Sequence, residues 1–135
     1  MGRRKLVLIA LGALIVIAGG WALVRTSGPA TTTAGVSTCP LATLPRGVVD
    51  TVRVIRSNGP FPFPRNDGVV FGNRERRLPD QTRGYYHEYT VNTPGAPNRS
   101  TRRIITGGSP LTNPPQYFYT GDHYDSFCLI PDAGR

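Results

Sequence analysis

Nineteen consecutive residues without a charge, 6–24, constrain this chain more than any other feature; Arg3, Arg4 and Lys5 precede them and Arg25 follows. As a helix the run would extend about 29 Å at 1.5 Å per residue, roughly the thickness of the hydrocarbon core of a bilayer. A small domain seldom encloses a helix that is apolar on every face. The run therefore reads as a retained signal anchor, or as a signal peptide cut near Thr33-Ala34-Gly35, although it is longer than the roughly 7 to 15 apolar residues usual in a cleaved signal. The basic residues ahead of it hold that end in the cytoplasm and send the rest outward, so the expected location is extracellular, secreted or held at the membrane through residues 6–24.

Residues 26–37 are almost entirely Thr, Ser, Gly, Ala and Pro, too small and polar to build a core. The chain thus divides into a signal segment (1–25), a flexible linker (26–37) and one domain (38–135), since about a hundred residues suffice for one compact unit and not for two. Of sixteen basic residues in the chain, four flank the apolar run; twelve arginines then face eight carboxylates, and the exported part carries an excess of four positive charges. Such a domain attracts polyanions, and an all-arginine basic set grips phosphate bidentately.

The only two cysteines, Cys39 and Cys128, stand near the two ends of the domain. In an oxidising compartment a disulfide between them is the simplest reading, whereas a zinc site is disfavoured because neither has a second ligand at short spacing.

Residues 44–57 read as the one good helix. Pro45 suits its first turn, Val48, Val52 and Ile55 recur on one face, and Asn58-Gly59 supplies a stop. Arg53 and Arg56 belong on the outer face. Gly59-Pro60-Phe61-Pro62-Phe63-Pro64 forbids both helix interior and central strand and predicts an extended loop. Five short strand-like pieces follow, at 69–71, 85–91, 102–106, 116–119 and 126–130. One helix followed by strands predicts an α+β fold with the helix packed on an antiparallel β-sheet. Alternation places Tyr85, His87, Tyr89 and Val91 on one face of their strand, toward the core, and Tyr86, Glu88 and Thr90 on the other, so that Glu88 projects from the open side. Arg103 and Ile105 share a face of the next strand.

Glu88, the arginines at 99, 102 and 103, and His123 make a base, an anion clamp and an acid. That set suits the cleavage of RNA, whose 2'-hydroxyl is its own nucleophile. The enzyme need only remove that proton, neutralise the phosphate and return a proton to the departing 5'-oxygen; no metal and no cofactor is required. A lone Glu in a strand is more often a surface residue, and the arginines and His123 are what give Glu88 its weight. His87 reads as a hydrogen-bonded structural histidine, Arg102 as surface charge, and Arg76, Arg77 and Arg83 as a solvated basic rim.

These residues carry a resemblance. Gly59-Pro60-Phe61-Pro62, Asp67-Gly68-Val69-Val70-Phe71, Asn73-Arg74-Glu75, the run 85–91, Thr93-Pro94-Gly95-Ala96, the run 101–106 and the run 119–124 resemble the secreted guanyl-specific bacterial ribonucleases of the RNase Sa and barnase group, over about residues 39–130. The resemblance implies cleavage of single-stranded RNA on the 3' side of guanosine through a 2',3'-cyclic phosphate. It implies Glu88 as general base, His123 as general acid, Arg99 and Arg103 as phosphate ligands and Tyr124 as a further phosphate contact. Phe71 would begin the guanine loop and stack on the base, Asn73 and Arg74 would offer backbone amides to O6, and Glu75 would accept N1–H and the exocyclic amine. The chain is read as a monomer, and a neighbouring barstar-like inhibitor is a reasonable expectation. Three features depart from the family: Gly72 replaces a glutamine in the guanine loop, Cys128 stands several residues earlier than the usual second cysteine, and a Pro- and Asn-rich insert occupies 109–116. The other readings are a non-catalytic exported RNA-binding module of the same fold, or the same ribonuclease deployed as a toxin.

Overall fold

The computed structural model describes residues 35–135. The signal or anchor segment and most of the linker lie outside the described residues, among which no helix is long and apolar enough to cross a membrane. The chain runs β1 (Ser37–Thr38), a 3-10 turn (Leu41–Thr43), α1 (Arg46–Arg56), β2 (Val69–Val70), β3 (Tyr86–Thr90), β4 (Arg103–Gly107), β5 (Gln116–Thr120) and β6 (Cys128–Leu129).

The helix starts two residues later than its sequence pattern suggests, because Pro45 is extended and serves as N-cap, and it stops at Arg56 with Ser57 as C-cap. Its inner face buries Val48, Val52 and Ile55 against Tyr89, Val91, Ile104, Tyr117 and Ile130 of the sheet, while Arg53 and Arg56 are exposed. The helix lies unusually near the end of β3. A Cβ on Gly47 would meet the carbonyl oxygen of Asn92 at 2.5 Å, and the Thr51 hydroxyl donates to the carbonyl of Thr90 across 3.1 Å.

The sheet has six strands in the order β1-β6-β5-β4-β3-β2. Every neighbouring pair is antiparallel except β1 and β6, which run parallel with Ser37 opposite Cys128. The expected purely antiparallel sheet is therefore mixed. Two residues of strand are too short to leave a period in the sequence, and Ser37, assigned to the linker, is already part of the sheet. The Cys39–Cys128 disulfide closes this edge, with its Cα atoms 5.6 Å apart.

The expected open side of the sheet is only partly open. The face opposite α1 carries a second cluster of Leu78, Tyr86, Ile105 and Phe118, with Phe71, Tyr85, Tyr124, Phe127 and Leu129 packed against it. Tyr85 joins this cluster instead of the helix-side core because it precedes the strand and escapes its alternation. His87 does face the helix side, opposite Thr106, which lies opposite Tyr117. It is not the hydrogen-bonded histidine expected from its position: its Nδ1 is buried without a partner, as are the Thr106 and Tyr117 hydroxyls.

The proline-rich loop is not extended throughout. It curls at Phe63 to Asp67, where the Asp67 carboxylate accepts the Phe63 amide at 3.0 Å and the Thr90 amide at 2.7 Å. Gly68, at φ 87° in the left-handed region open to glycine, then donates its amide to the carbonyl of Glu88.

Candidate active site

Two adjacent rows of the sheet build the site. Val69, Glu88, Ile105, Phe118 and Leu129 lie opposite one another across β2 to β6, and one step along the strands Thr90, Arg103 and Thr120 form a second row. Glu88 and Arg103 thus occupy neighbouring strands of one face, as alternation predicts. Ile105, paired beside Glu88 on this face, is fully buried and Arg103 is 3% exposed, so the carboxylate and the guanidinium stand next to an apolar cluster.

The two threonines beside Arg103 anchor the loops that complete the site. Thr90 Oγ1 accepts from Arg99 Nε at 3.0 Å, and Thr120 Oγ1 accepts from the Tyr124 amide at 3.1 Å. Arg103 Nη1 donates to the carbonyls of Arg99 (3.0 Å) and Arg102 (2.7 Å), fixing the Arg99 loop from below. The Arg99 guanidinium lies 5.8 Å from the centre of the Phe63 ring, a cation–π contact. With both arginines so held, Arg99 Nη2 and Arg103 Nε remain buried without an acceptor. Buried guanidinium donors lacking partners are costly unless an anion completes them.

His123 sits in the exposed turn between β5 and β6. His123 and Tyr124 both have positive φ (56° and 75°), a conformation that costs a non-glycine residue of order 1 kcal/mol or more. The turn holds it by several bonds. The His123 amide donates to the Thr101 carbonyl at 3.1 Å, and the Thr101 hydroxyl donates to the Gly121 carbonyl. The Asp122 carboxylate takes the Ser126 hydroxyl (2.6 Å), the Ser126 amide (2.9 Å) and the Thr120 hydroxyl (2.9 Å). These bonds, those from Ser126 foremost, pull the Asp122 carboxyl down to about 2.

Tyr124 lies in the site, though not where a phosphate contact alone would put it. Its hydroxyl donates to Glu88 Oε2, and its ring stacks on Phe71 with centroids 5.2 Å and planes 26° apart. Burial, reinforced by the bond to Glu88, pushes this phenol up to about 12. It is neutral and a donor at any physiological pH.

Beside Glu88 opens a cavity of about 340 Å³ lined by Val70, Phe71, Gly72, Asn73, Arg74, Glu75, Arg77, Tyr124 and Phe127. The four residues expected to meet the base, Phe71, Asn73, Arg74 and Glu75, are on this wall together with Tyr124, whereas Arg99 and Arg103 are not, and Glu88 joins it to the clamp. The loop's shape comes from Asn73, at φ 46°: its side chain donates to the Leu78 carbonyl and accepts the Leu78 amide, at 2.9 and 3.1 Å. Among the described residues no backbone acceptor takes the amides of Asn73 and Arg74. Glu75 is exposed and its Oε2 accepts from Arg77 Nε at 2.9 Å. Arg77 is exposed, as its place in the basic rim predicts, and it also lines the cavity.

Sequence reasoning missed Thr90, Thr120, Asp67, Asp122 and Phe127. Thr and Asp beside turns are too common to single out; alternation put Thr90 on the face of Glu88 but gave no sign that its hydroxyl would hold Arg99.

A small α+β domain that sets a carboxylate and two arginines with unpartnered donors near a base-sized cavity, with a histidine next to Tyr124 of its wall, has the parts of a nucleolytic protein. The family model described as ribonuclease matches residues 27–131, and the chain belongs to that family. It is 57% identical over 90 residues to guanyl-specific ribonuclease Sa of Kitasatospora aureofaciens, spanning 67% of this chain and 88% of that protein. To guanyl-specific ribonuclease St of Saccharopolyspora erythraea it is 48% identical over 101 residues, 75% of this chain and 94% of the other. Among solved structures, ribonuclease Sa2 with guanosine-2'-cyclophosphate aligns with a TM-score of 0.62 and 44% identity, covering 70% of this chain and 95% of that one.

Proposed function

We propose that this protein is an endoribonuclease that cleaves single-stranded RNA 3' of guanosine by way of a 2',3'-cyclic phosphate. The observation that carries the reading is the pair of orphaned guanidinium donors, Arg99 Nη2 and Arg103 Nε, beside Glu88. They call for an anion on the same face as a carboxylate able to act as base. The relatives named for guanyl specificity, and the Sa2 structures with guanosine-2'-cyclophosphate and 3'-GMP, support the same substrate.

Guanine enters the cavity, stacks near Phe71, meets the Glu75 carboxylate with N1–H and its amine, and gives O6 to the free amides of Asn73 and Arg74. The scissile phosphate lies on Arg99 and Arg103, which stabilise its growing negative charge. Glu88 takes the 2'-hydroxyl proton as O2' bonds to phosphorus; His123 protonates the leaving 5'-oxygen as the P–O5' bond breaks. In the second step His123 takes a proton from water as the water oxygen bonds to phosphorus, and Glu88 returns its proton to O2' as the P–O2' bond breaks, leaving a 3'-phosphate. Tyr124, neutral and bonded to Glu88, orients the carboxylate in the free protein and would turn its one hydroxyl donor from Glu88 to the phosphate once substrate is bound.

The rest of the reading concerns place and partners. A disulfide between Cys39 and Cys128 suits an oxidising compartment, and residues 6–24 would deliver or tether the domain outside the membrane. The chain is read as a monomer. A ribonuclease folding before export endangers its own cell, which makes a barstar-like inhibitor its natural partner.

Cleavage of a G-containing and a G-free oligoribonucleotide by the full-length protein, beside Glu88→Gln, tests the reading. Cuts confined to the 3' side of G, reduced about 10²- to 10⁴-fold in the variant, are expected. A folded protein that leaves both substrates intact would move the chain to the class of RNA-binding modules.

A further inference from the structure

The loop that carries the acid is fastened at its two ends by different devices, and the far end leads into the base cavity. Residues 121–126 are exposed apart from half-buried Tyr124. At the near end, Thr120, Asp122 and Thr101 hold His123 through the bonds described above. At the far end stands Phe127, which lines the cavity and meets Phe71 edge-on, centroids 6.0 Å and planes 61° apart. Phe127 is followed at once by Cys128 in β6, a strand of only two residues.

So short a ladder provides little hold, and β6 is supported from both sides. On one side it pairs with Phe118 and Tyr119 of β5. On the other lies the equally short β1, reinforced by the Cys39 amide donating to the Leu129 carbonyl at 2.8 Å and by the disulfide itself. Side chains alternate here, so Cys128, opposite Tyr119, belongs to the helix side, while Phe127 and Leu129 pack on the site side. Val36, just ahead of β1, packs on that same site-side cluster. The covalent bond therefore sets the position of the strand whose first neighbour is a wall of the base cavity.

We propose that Cys39 and Cys128 are positioning residues for substrate binding: their disulfide holds Phe127 against Phe71 and so sets affinity for the guanosine-bearing substrate, leaving proton transfer to His123, whose own amide is held by the Thr101 carbonyl. The inference rests on the reading of the Phe71–Glu75 cavity as the base site.

The experiment measures kcat and KM for the dinucleotide GpU, and binding of 3'-GMP, with the full-length protein and its variants Cys39→Ser/Cys128→Ser, Phe127→Ala, Phe127→Leu and the triple combination. The doubly substituted protein, checked for folding by circular dichroism, is expected to raise KM about three- to tenfold, the scale of one aromatic contact, with kcat within about twofold. Phe127→Ala should do the same, Phe127→Leu less, and the triple variant little more than either parent. Unchanged KM in a folded cysteine variant, or additive losses in the triple variant, overturns the proposal, because a bond that merely stabilises the fold would not be coupled to Phe127. Should the cysteine variant not fold, Phe127→Ala decides alone: unchanged KM overturns, raised KM with kcat retained supports. Glu75→Gln separates the two readings. If it abolishes the preference of GpU over ApU while the cysteine and Phe127 variants leave KM alone, only the positioning role falls; if the preference survives, the base site is elsewhere and both fall.

Discussion

His87 and Glu88 are neighbours in the chain and meet opposite surroundings, because successive side chains of a strand point to opposite faces. Glu88 shares its face with the arginine clamp, and His87 is pressed against the helix side, where burial pushes its imidazole below its ordinary value. Its folded-state value is thus lower than that of the unfolded chain, about 6.5. The stabilisation it represents is whole above about pH 6.5 and declines as pH falls through the folded value, since the unfolded chain then binds the proton more readily. Urea unfolding between pH 7.5 and 5 should show stability falling with acid in the parent protein and a flatter profile in His87→Phe. Equal slopes would mean that the imidazole is solvated. Asp122 works in a lower window: with its folded value near 2, its contribution is complete above about pH 4 and disappears toward pH 2, and its exposure keeps that contribution small.

At the scale of elements, the helix seat and the His123 turn show how narrow the tolerances are. Gly47 lies in the first turn of α1, where glycine weakens a helix, yet a Cβ there would press on the carbonyl of Asn92. Gly47→Ala should therefore destabilise by about 1 to 3 kcal/mol despite its better helix propensity, measurable as a lower midpoint in urea; a rise in midpoint would show that the helix can shift. The turn depends on one carboxylate that satisfies three donors while His123 and Tyr124 adopt left-handed backbone. Asp122→Ala should lower kcat by roughly tenfold to a hundredfold through misplacement of the acid, with KM little changed. A larger effect on KM than on kcat would place His123 outside the chemical step.

Over the whole molecule, two properties matter more than any contact. The first is charge: an arginine-rich domain that binds phosphate releases counterions, so kcat/KM on long RNA should fall several-fold between roughly 50 and 200 mM salt, and much less on GpU, which offers a single phosphate. A salt-independent rate on long RNA would argue that the basic rim is idle. The second is the loop closed by the disulfide, whose ends are 89 residues apart in sequence. In the chain-entropy model a loop of that size stabilises by about 4 to 5 kcal/mol, a large share of what a domain this small has in hand.

The α+β class, the inner face of α1, the shared face of Glu88 and Arg103 and the pairing of the two cysteines can be read from the chain alone, because each depends on periodicity or on counting. It carried the candidate acid, base and clamp as residue types in order. Only the tertiary structure decided that β1 joins the sheet parallel to β6, that the face opposite the helix carries an apolar cluster of its own, and that Tyr124 bonds to Glu88 while Arg77 pairs with Glu75. Those features are contacts between segments distant in the chain or within loops of no fixed period. Alternation says which way a side chain points, but what it meets there is settled by the strand or loop that arrives from elsewhere.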